Sequence, residues 1–312
     1  MRIASIDIGT NTCNLSIAEY ISGEELKFIY KEKEVIALIN SEFQDDKISQ
    51  NSINNLINVL KKYKRITEEF GVEKIIATAT SGIRSSENKY HIIEKINEIV
   101  KVEVTIIDGY SEANYVYEGV KNAVTFGIDY VLIIDIGGGS IEFVICNMYG
   151  INTVYSFNIG AARLLHHNKF SDPLNFGDIN NLEVTLKETL KDLLKLCKEL
   201  KVNTLIGSSG SFETFVNLIN KEKKQQTEKN TKRYNIIDIE KFDIICKKLI
   251  TYNYDQRYNM PGIDVVRIKL IPLAAFITHF LISNLKINNL IQSRYSIKEG
   301  LIFDYISKNF KN

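Results

Sequence analysis

The sequence predicts an α/β protein that is built from two similar halves. An apolar run that ends in aspartate, followed by a glycine turn with hydroxyl groups and a second apolar run, occurs at residues 6–18 and again at residues 134–145. The order of elements after the first copy begins to repeat after the second, and 312 residues are enough for about two domains. We therefore expect one domain over residues 1–125 and another over residues 126–312.

Apolar periodicity predicts alternating strands and helices in the first half. The strands are expected at residues 2–7, 14–20, 26–38, 74–80 and 102–107. The first helix is expected to have Ser49 as its N-cap and to end at Gly71. Two more helices are expected at residues 88–100 and 111–123, and Ser111 is the residue expected to cap the second of them.

The second half repeats the beginning of this order. Its strands are expected at residues 130–135, 141–146, 153–158 and 204–207. Its first helices are expected at residues 160–167 and 178–201, and further helices should follow to the C-terminus, interrupted at Pro261-Gly262. The basic segment 221–233 is either a solvated loop or a mobile flap that attracts a polyanion.

Composition and charge favour a protein of the cytoplasm. Of the residues, 45% are hydrophobic and 25% are charged, as in ordinary globular proteins. The formal net charge of +1 indicates neither a nucleic acid nor a membrane partner, and the most apolar segment, residues 270–285, is too short to span a bilayer. The four cysteines lie in apolar patterns without paired spacing, and no secretory signal pattern precedes the first strand. We therefore expect reduced thiols and a cytoplasmic location.

Each repeated turn has the composition of an anion-binding site. Glycine lets backbone N–H groups approach an anion closely, and successive N–H groups form a concave anion site. Asp7 and Asp135, at the ends of the preceding strands, can each hold a cation that neutralises the anion. We therefore predict two half-sites that face each other and clamp a phosphate chain. The turn residues expected to cradle phosphate are Gly9, Thr10, Asn11, Gly137, Gly138, Gly139 and Ser140.

Three further clusters place polar groups at the ends of predicted strands. Arg84 can hold phosphate oxygens in a fork, although an arginine on a surface loop is equally consistent with its position. Glu112 falls in the first turn of a helix, where an acid can simply complement the helix dipole. Ser209 and Gly210 precede a helix whose N-terminus can bind phosphate, but serine there is also an ordinary cap. The sequence has no P-loop, no G-x-S-x-G elbow and no zinc-ligand spacing.

Four of these segments together resemble the exopolyphosphatase / guanosine pentaphosphatase family. They are residues 7–12, 79–84, 108–113 and 135–142, and they occur in the order and at the spacing that the family uses. The resemblance covers essentially the whole chain, and residues 207–211, 261–262 and 298–300 also fall where the family has matching signatures. It implies the fold of the actin-like ATPase superfamily, in which two ribonuclease-H-like domains flank a cleft.

The resemblance implies Mg²⁺-dependent removal of terminal phosphates from polyphosphate or guanosine pentaphosphate by a homodimer. Glu112 matches the family's catalytic glutamate, which would deprotonate the attacking water. Asp135, Glu142 and Asp7 are the expected metal-binding residues, and Arg84 is expected to neutralise charge on the phosphoryl group. Arg84, Ser209 and Gly210 join the turn residues as expected phosphate ligands.

Several positions depart from the family pattern while the catalytic residues are kept. The departures include Ser111, Ile141, Lys269 and Lys298. Two other classes of function therefore stay open: a non-catalytic sensor that binds polyphosphate or a guanosine alarmone, and an ATPase or kinase of the same superfamily. The sequence does not choose the natural substrate or its chain length.

Overall fold

Two mixed β-sheets form the framework of the protein, whose computed structural model describes residues 1–39, 46–222 and 233–310. The strand order of the first sheet is β3-β2-β1-β4-β5, with neighbours among β1, β2 and β3 antiparallel and with β4 and β5 parallel to β1. The strands are β1 (Arg2–Ile8), β2 (Thr12–Glu19), β3 (Lys27–Val35), β4 (Lys74–Ala79) and β5 (Val104–Ile106).

The second sheet repeats this arrangement and extends it. Its strands are β6 (Val131–Ile136), β7 (Ile141–Asn147), β8 (Gly150–Phe157), β9 (Thr204–Ser208), β10 (Tyr234–Ile237) and β11 (Asn289–Ser293). The strand order is β10-β11-β9-β6-β7-β8. Strands β6, β7 and β8 are antiparallel to their neighbours, as β1, β2 and β3 are in the first sheet. Strand β9 is parallel to β6, just as β4 is parallel to β1. The duplicated order predicted from the sequence is therefore confirmed.

Helices connect the strands and cover the sheets. The helices are α1 (Gln50–Glu69), α2 (Ser81–Arg84), α3 (Lys89–Val100), α4 (Gly109–Lys121), α5 (Ala161–His167), α6 (Phe176–Thr189), α7 (Lys191–Glu199), α8 (Ser209–Glu222), α9 (Ile239–Thr251), α10 (Tyr254–Tyr258), α11 (Ile271–Leu285) and α12 (Ile297–Asn309), with a 3₁₀ turn at Val265–Arg267. Within the described ranges, no helix is both long and apolar enough to cross a membrane. The basic segment 221–233 falls almost entirely outside the described residues.

Each sheet has its own apolar core. Helix α1 shows how the sequence builds it: Ser49 caps the helix, and the apolar residues that recur every three or four positions from Ile53 to Tyr63 are buried in the core of the first sheet. Tyr63 is fully buried, and its hydroxyl donates a hydrogen bond to Cys13 O at 2.8 Å. In the second half, apolar side chains of β6 and β7 pack with those of α8, α9 and α11. All four cysteines are free and buried, as the sequence predicts.

The structure corrects several local predictions. Helix α4 is capped by Asp108 instead of Ser111, because the Asp108 carboxylate accepts a hydrogen bond from Ser111 N at 2.7 Å. Aspartate and serine are equally good N-caps, so residue type could not choose between them. The helix expected at 178–201 is two helices that meet at Leu190. Strands β10 and β11 lie where only helices were expected, because they are too short to show a clear period.

The C-terminal helix α12 returns to the first sheet and packs against α4 and β1. The two helices meet closely at glycines: a Cβ on Gly300 would lie 1.8 Å from Tyr115 O, and a Cβ on Gly119 would lie 2.2 Å from Ser296 O. A larger residue at either place would force the helices apart. The division of the chain between residues 125 and 126 stays a prediction.

Candidate active site

The two repeated turns meet at the boundary between the sheets. The N–H of Gly9 and the N–H of Gly137 each close their own hairpin with a 3.0 Å hydrogen bond to the carbonyl three residues further on. The turns then touch each other, because a Cβ on Gly138 would lie 2.7 Å from Asn11 Nδ2. The turns that the sequence predicts to face each other are in direct contact.

Neighbouring backbone donors hold the carbonyl oxygens of both turns. The carbonyls of residues 137–139 accept hydrogen bonds of 2.9–3.3 Å from the N–H groups of residues 160–163, at the start of α5. In the first half, Thr10 O and Asn11 O accept hydrogen bonds of 2.7–3.1 Å from the N–H groups of residues 36–38. The N–H of a trans peptide points away from the carbonyl of the same peptide unit. The N–H groups of these peptide units therefore face the opposite side, which is the arrangement that an anion site requires.

Three buried carboxylates lie at the ends of the hairpin strands. Asp7 faces Asn14 across β1 and β2, and Asp135 faces Glu142 across β6 and β7, so the two pairs occupy equivalent places. Burial raises the pKa of Asp7 to about 7, although a 3.1 Å hydrogen bond from the Asn14 amide opposes this shift. Burial also raises the pKa of Asp135, and burial together with the nearby charge of Glu112 raises the pKa of Glu142 well above its ordinary range. A cation bound here would favour the charged form of these carboxylates.

These carboxylates fit Mg²⁺, which keeps water and substrate phosphates among its ligands, better than a metal ion whose ligands are all protein side chains. The described residues contain no group of three or more histidine, cysteine, aspartate or glutamate side chains that could hold a metal ion. Mg²⁺ is usually bound by one or two carboxylates, with water and substrate phosphates completing its shell. Asp135 and Glu142, which face each other across β6 and β7, and Asp7 in the first half can each supply the oxygen donors that such a site needs.

Glu112 and Arg84 form an ion pair beside the second turn. Arg84 Nη1 donates to Glu112 Oε2 at 2.7 Å and to Ile107 O at 2.9 Å, which fixes the guanidinium. Glu112 is only 9% exposed, and burial raises its pKa although Arg84 opposes the shift. Arg84 Nη2 also lies 3.5 Å from Ser140 Oγ, which donates to Glu142 Oε1 at 2.6 Å. A continuous set of polar contacts thus connects Glu112 with Glu142.

A cavity of about 1200 Å³ opens beside the turns and is lined by residues of both halves. Its wall contains ten of the predicted site residues, namely Asp7, Gly9, Thr10, Asn11, Glu112, Asp135, Gly137, Gly138, Ser209 and Gly210. The other four predicted site residues, Arg84, Gly139, Ser140 and Glu142, are not among the residues that line this cavity in the described structure. Ser209 Oγ donates to Asp135 Oδ1, so Ser209 contacts a predicted metal ligand directly.

Five basic residues that the sequence did not assign to the site also line the cavity, namely Lys31, Lys33, Arg267, Arg294 and Lys298. Arg267 lies so close to Gly210 that a Cβ there would be 1.7 Å from Arg267 Nη2, so this glycine makes room for a guanidinium. Lys298 is half-buried, and the acids Glu299 and Asp7 raise its pKa although burial opposes the shift. Lys298 lies in the segment 298–300 that matches a family signature, whereas Arg267 has no sequence signal of its own, because only the fold brings it to the cavity.

The paired sheets and the aspartate-bearing turns that meet beside a cleft define a protein of the actin-like two-domain α/β class. The chain belongs to the Ppx/GppA phosphatase family, whose sequence pattern matches residues 16–309. The resemblance that four motifs indicated is therefore confirmed.

Comparisons with known proteins agree with this assignment. The crystal structure of an exopolyphosphatase from Cytophaga hutchinsonii superimposes with a TM-score of 0.95 and 29% identity, covering 99% of this chain and 98% of that one. A bifunctional 3-dehydroquinate synthase/phosphatase of Fusobacterium nucleatum is 35% identical over 236 residues, or 72% of this chain and 35% of that protein. A guanosine-5'-triphosphate,3'-diphosphate pyrophosphatase of Aliivibrio fischeri is 22% identical over 305 residues, or 98% of this chain. This chain spans 59% of the Aliivibrio protein, so it covers less than two thirds of either curated relative.

Proposed function

We propose that this chain hydrolyses the terminal phosphoanhydride bond of inorganic polyphosphate or guanosine pentaphosphate. The position of Glu112 carries the proposal: a buried carboxylate, held by Arg84, reaches the wall of the cavity that both anion-binding turns line. An acid that only complemented a helix dipole would need neither burial nor a guanidinium partner. The names of two relatives, an exopolyphosphatase and a guanosine-5'-triphosphate,3'-diphosphate pyrophosphatase, support the same two substrates.

In the proposed reaction, the N–H groups of the two turns bind the terminal phosphates. Glu112 orients a water molecule and removes its proton as the water oxygen bonds to the terminal phosphorus. The bond from that phosphorus to the bridging oxygen breaks, which releases orthophosphate and a chain that is one phosphate shorter. Arg84 neutralises charge on the phosphoryl group. A raised pKa suits Glu112 to this role, because a general base is most efficient when its pKa lies near the working pH.

We further propose that one or two of the carboxylates Asp7, Asp135 and Glu142 bind Mg²⁺, directly or through water, and that water and substrate phosphates complete its shell. When bound, Mg²⁺ would neutralise negative charge on the terminal phosphates. Their raised pKa values support this role, because they mark buried negative charge without full compensation. Without a cation, these carboxylates would repel a polyanion that enters the cavity.

A phosphate-release assay tests the proposed function directly. Polyphosphate, guanosine pentaphosphate and ATP are compared in parallel, with Mg²⁺ and with a chelator. We expect release from one or both of the first two substrates, only with Mg²⁺, and little release from ATP. Tight binding of a substrate without release would instead favour a sensor. Hydrolysis of ATP, or phosphate transfer from ATP to an acceptor, would favour an ATPase or kinase.

We also propose that the protein works as a cytoplasmic homodimer, because this is what the family resemblance implies. Sedimentation equilibrium tests the oligomeric state, and a monomer at micromolar concentration would contradict it.

A further inference from the structure

We infer that Arg163 is a positioning residue, which fixes the second phosphate turn against the segment that carries Arg84. The inference rests on the proposed function, since it assigns a task within the same site. Arg163 Nε donates to Gly139 O at 3.0 Å, and Arg163 Nη2 donates to Ser85 Oγ. One half-buried side chain therefore joins the second half of the chain to the first beside the phosphate turns.

On one side, Arg163 contacts the turn itself. Gly139 O also accepts a 3.3 Å hydrogen bond from Gly160 N, so the backbone and a side chain of the α5 region hold the same carbonyl. The turn has little room to move toward the first half, because a Cβ on Gly139 would lie 2.6 Å from Ser81 Oγ and 2.8 Å from Thr10 Oγ1. Arg163 thus holds the turn where the two halves already pack closely.

On the other side, Arg163 contacts the residue that directly follows Arg84. Ser85 Oγ donates to Ser81 O at 2.6 Å, so the hydroxyl that accepts from Arg163 is itself tied to α2. A displacement of Ser85 would move Arg84 and its partner Glu112 relative to the turn. Misplacing reacting groups by about 1 Å can cost roughly 100-fold in rate. The bridge therefore sets the relative position in which both halves act on one phosphate.

An arginine suits this task better than a lysine. The planar guanidinium has several donors in a fixed geometry, and here two of its nitrogens bind acceptors from different halves of the chain. A lysine ammonium is a single point of charge on a flexible stem, so it would not hold both acceptors at a fixed separation.

A comparison of Ser85→Ala with Ser86→Ala tests the inference. Each serine hydroxyl donates to a carbonyl of α2, Ser85 to Ser81 O and Ser86 to Ile83 O, but of the two serines only Ser85 accepts a hydrogen bond from Arg163 in the described structure. We expect Ser85→Ala to lower kcat about tenfold to hundredfold, because misplacing reacting groups by about 1 Å can cost roughly 100-fold in rate. KM should change less than about twofold, because each turn still binds the ground state while only the transition state needs both in place. Ser85→Thr should restore the rate, and Ser86→Ala should keep it.

Hydrogen exchange supplies a readout that does not depend on turnover. In Ser85→Ala and Arg163→Lys, the amides of Gly160, Ala161 and Ala162, which donate to the carbonyls of the turn, should exchange at least about tenfold faster than in the wild type, while melting shifts by less than about 3 °C. Ser86→Ala should show no such acceleration. The inference is overturned if Ser85→Ala behaves like Ser86→Ala in exchange. A wild-type protein that releases no phosphate would refute the proposed function instead, and the exchange comparison would still decide the role of Arg163.

Discussion

Replacing Glu112 with glutamine removes the proposed general base and changes little else. The two side chains have nearly the same shape, and the amide oxygen can still accept the 2.7 Å hydrogen bond from Arg84. Helix α4 keeps its start, because Asp108 caps it without help from Glu112. The substitution therefore separates the chemistry of Glu112 from its packing.

The expected loss of activity is large and the expected loss of stability is small. A general base contributes about 10²–10⁴-fold to the rate, or about 2.7–5.4 kcal/mol of the barrier at about 1.36 kcal/mol per tenfold. For stability, the ion pair becomes a hydrogen bond from the guanidinium to a neutral oxygen, which keeps part of the original contribution of about 1.5–3 kcal/mol. The burial cost of the charge, which raises the pKa of Glu112, disappears at the same time and offsets this loss. We expect the melting temperature to change by less than about 4 °C.

The assay measures phosphate release and thermal melting on one preparation of Glu112→Gln. Glu118→Gln serves as the control, because Glu118 lies on the same helix and pairs with Lys121 at 2.6 Å but does not line the cavity. Full phosphate release by Glu112→Gln would refute the catalytic role. A melting temperature lowered by more than about 10 °C would instead assign Glu112 a structural role.

Three further predictions concern the cation, the turns and a buried carboxylate of α12. Because burial raises the pKa of Asp7 to about 7, the Mg²⁺ affinity measured by calorimetry should rise from about pH 6 to about pH 8. The variant Asp7→Asn should bind Mg²⁺ more weakly and with a flatter pH profile. Identical pH profiles for both proteins would contradict the assignment. Gly138→Ala places a methyl group 2.7 Å from Asn11 Nδ2 and should raise KM at least about tenfold. Its control Gly127→Ala, which has open space around the added Cβ, should leave KM within about twofold of the wild type. Equal KM values for the two variants would refute this reasoning. Glu299 is buried, yet two neighbouring lysines lower its pKa, so it stabilises the fold above its ordinary pKa, and that stability is lost as pH falls through the lower folded value. Glu299→Gln should cost on the order of 3 kcal/mol at about pH 7, and an unchanged melting temperature there would show that the pair contributes nothing.

The sequence was enough to predict the strand, glycine turn and return strand that occur in both halves, because the signals of these elements are local. Each strand, glycine turn and return strand lies within about 13 consecutive residues, and the period of the apolar residues is visible without knowledge of the rest of the chain. For the same reason, the paired turns and their aspartates could be predicted from the sequence. Their roles in phosphate and metal binding stay predictions that the experiments above address.

Elements that depend on distant partners could not be predicted in this way. Strand β11 is only five residues long and is held between β9 and β10, which come from other parts of the chain. The cap of α4 was ambiguous, because Asp108 and Ser111 have similar cap propensity and only the backbone path selects one of them.

The sequence by itself determined which residue types stand at the end of each repeated strand, and hence that the chain carries two glycine turns with acidic neighbours. Tertiary structure alone decided how these parts are combined. It brings Arg84 into contact with Glu112, which lies 28 residues further along the chain. It also joins Arg163 to Ser85, which lies 78 residues earlier in the chain. It also buries Asp7, Asp135 and Glu142, which raises their pKa values. The physical reason is that hydrogen bonds and burial depend on separation in space, and separation along the chain does not determine this.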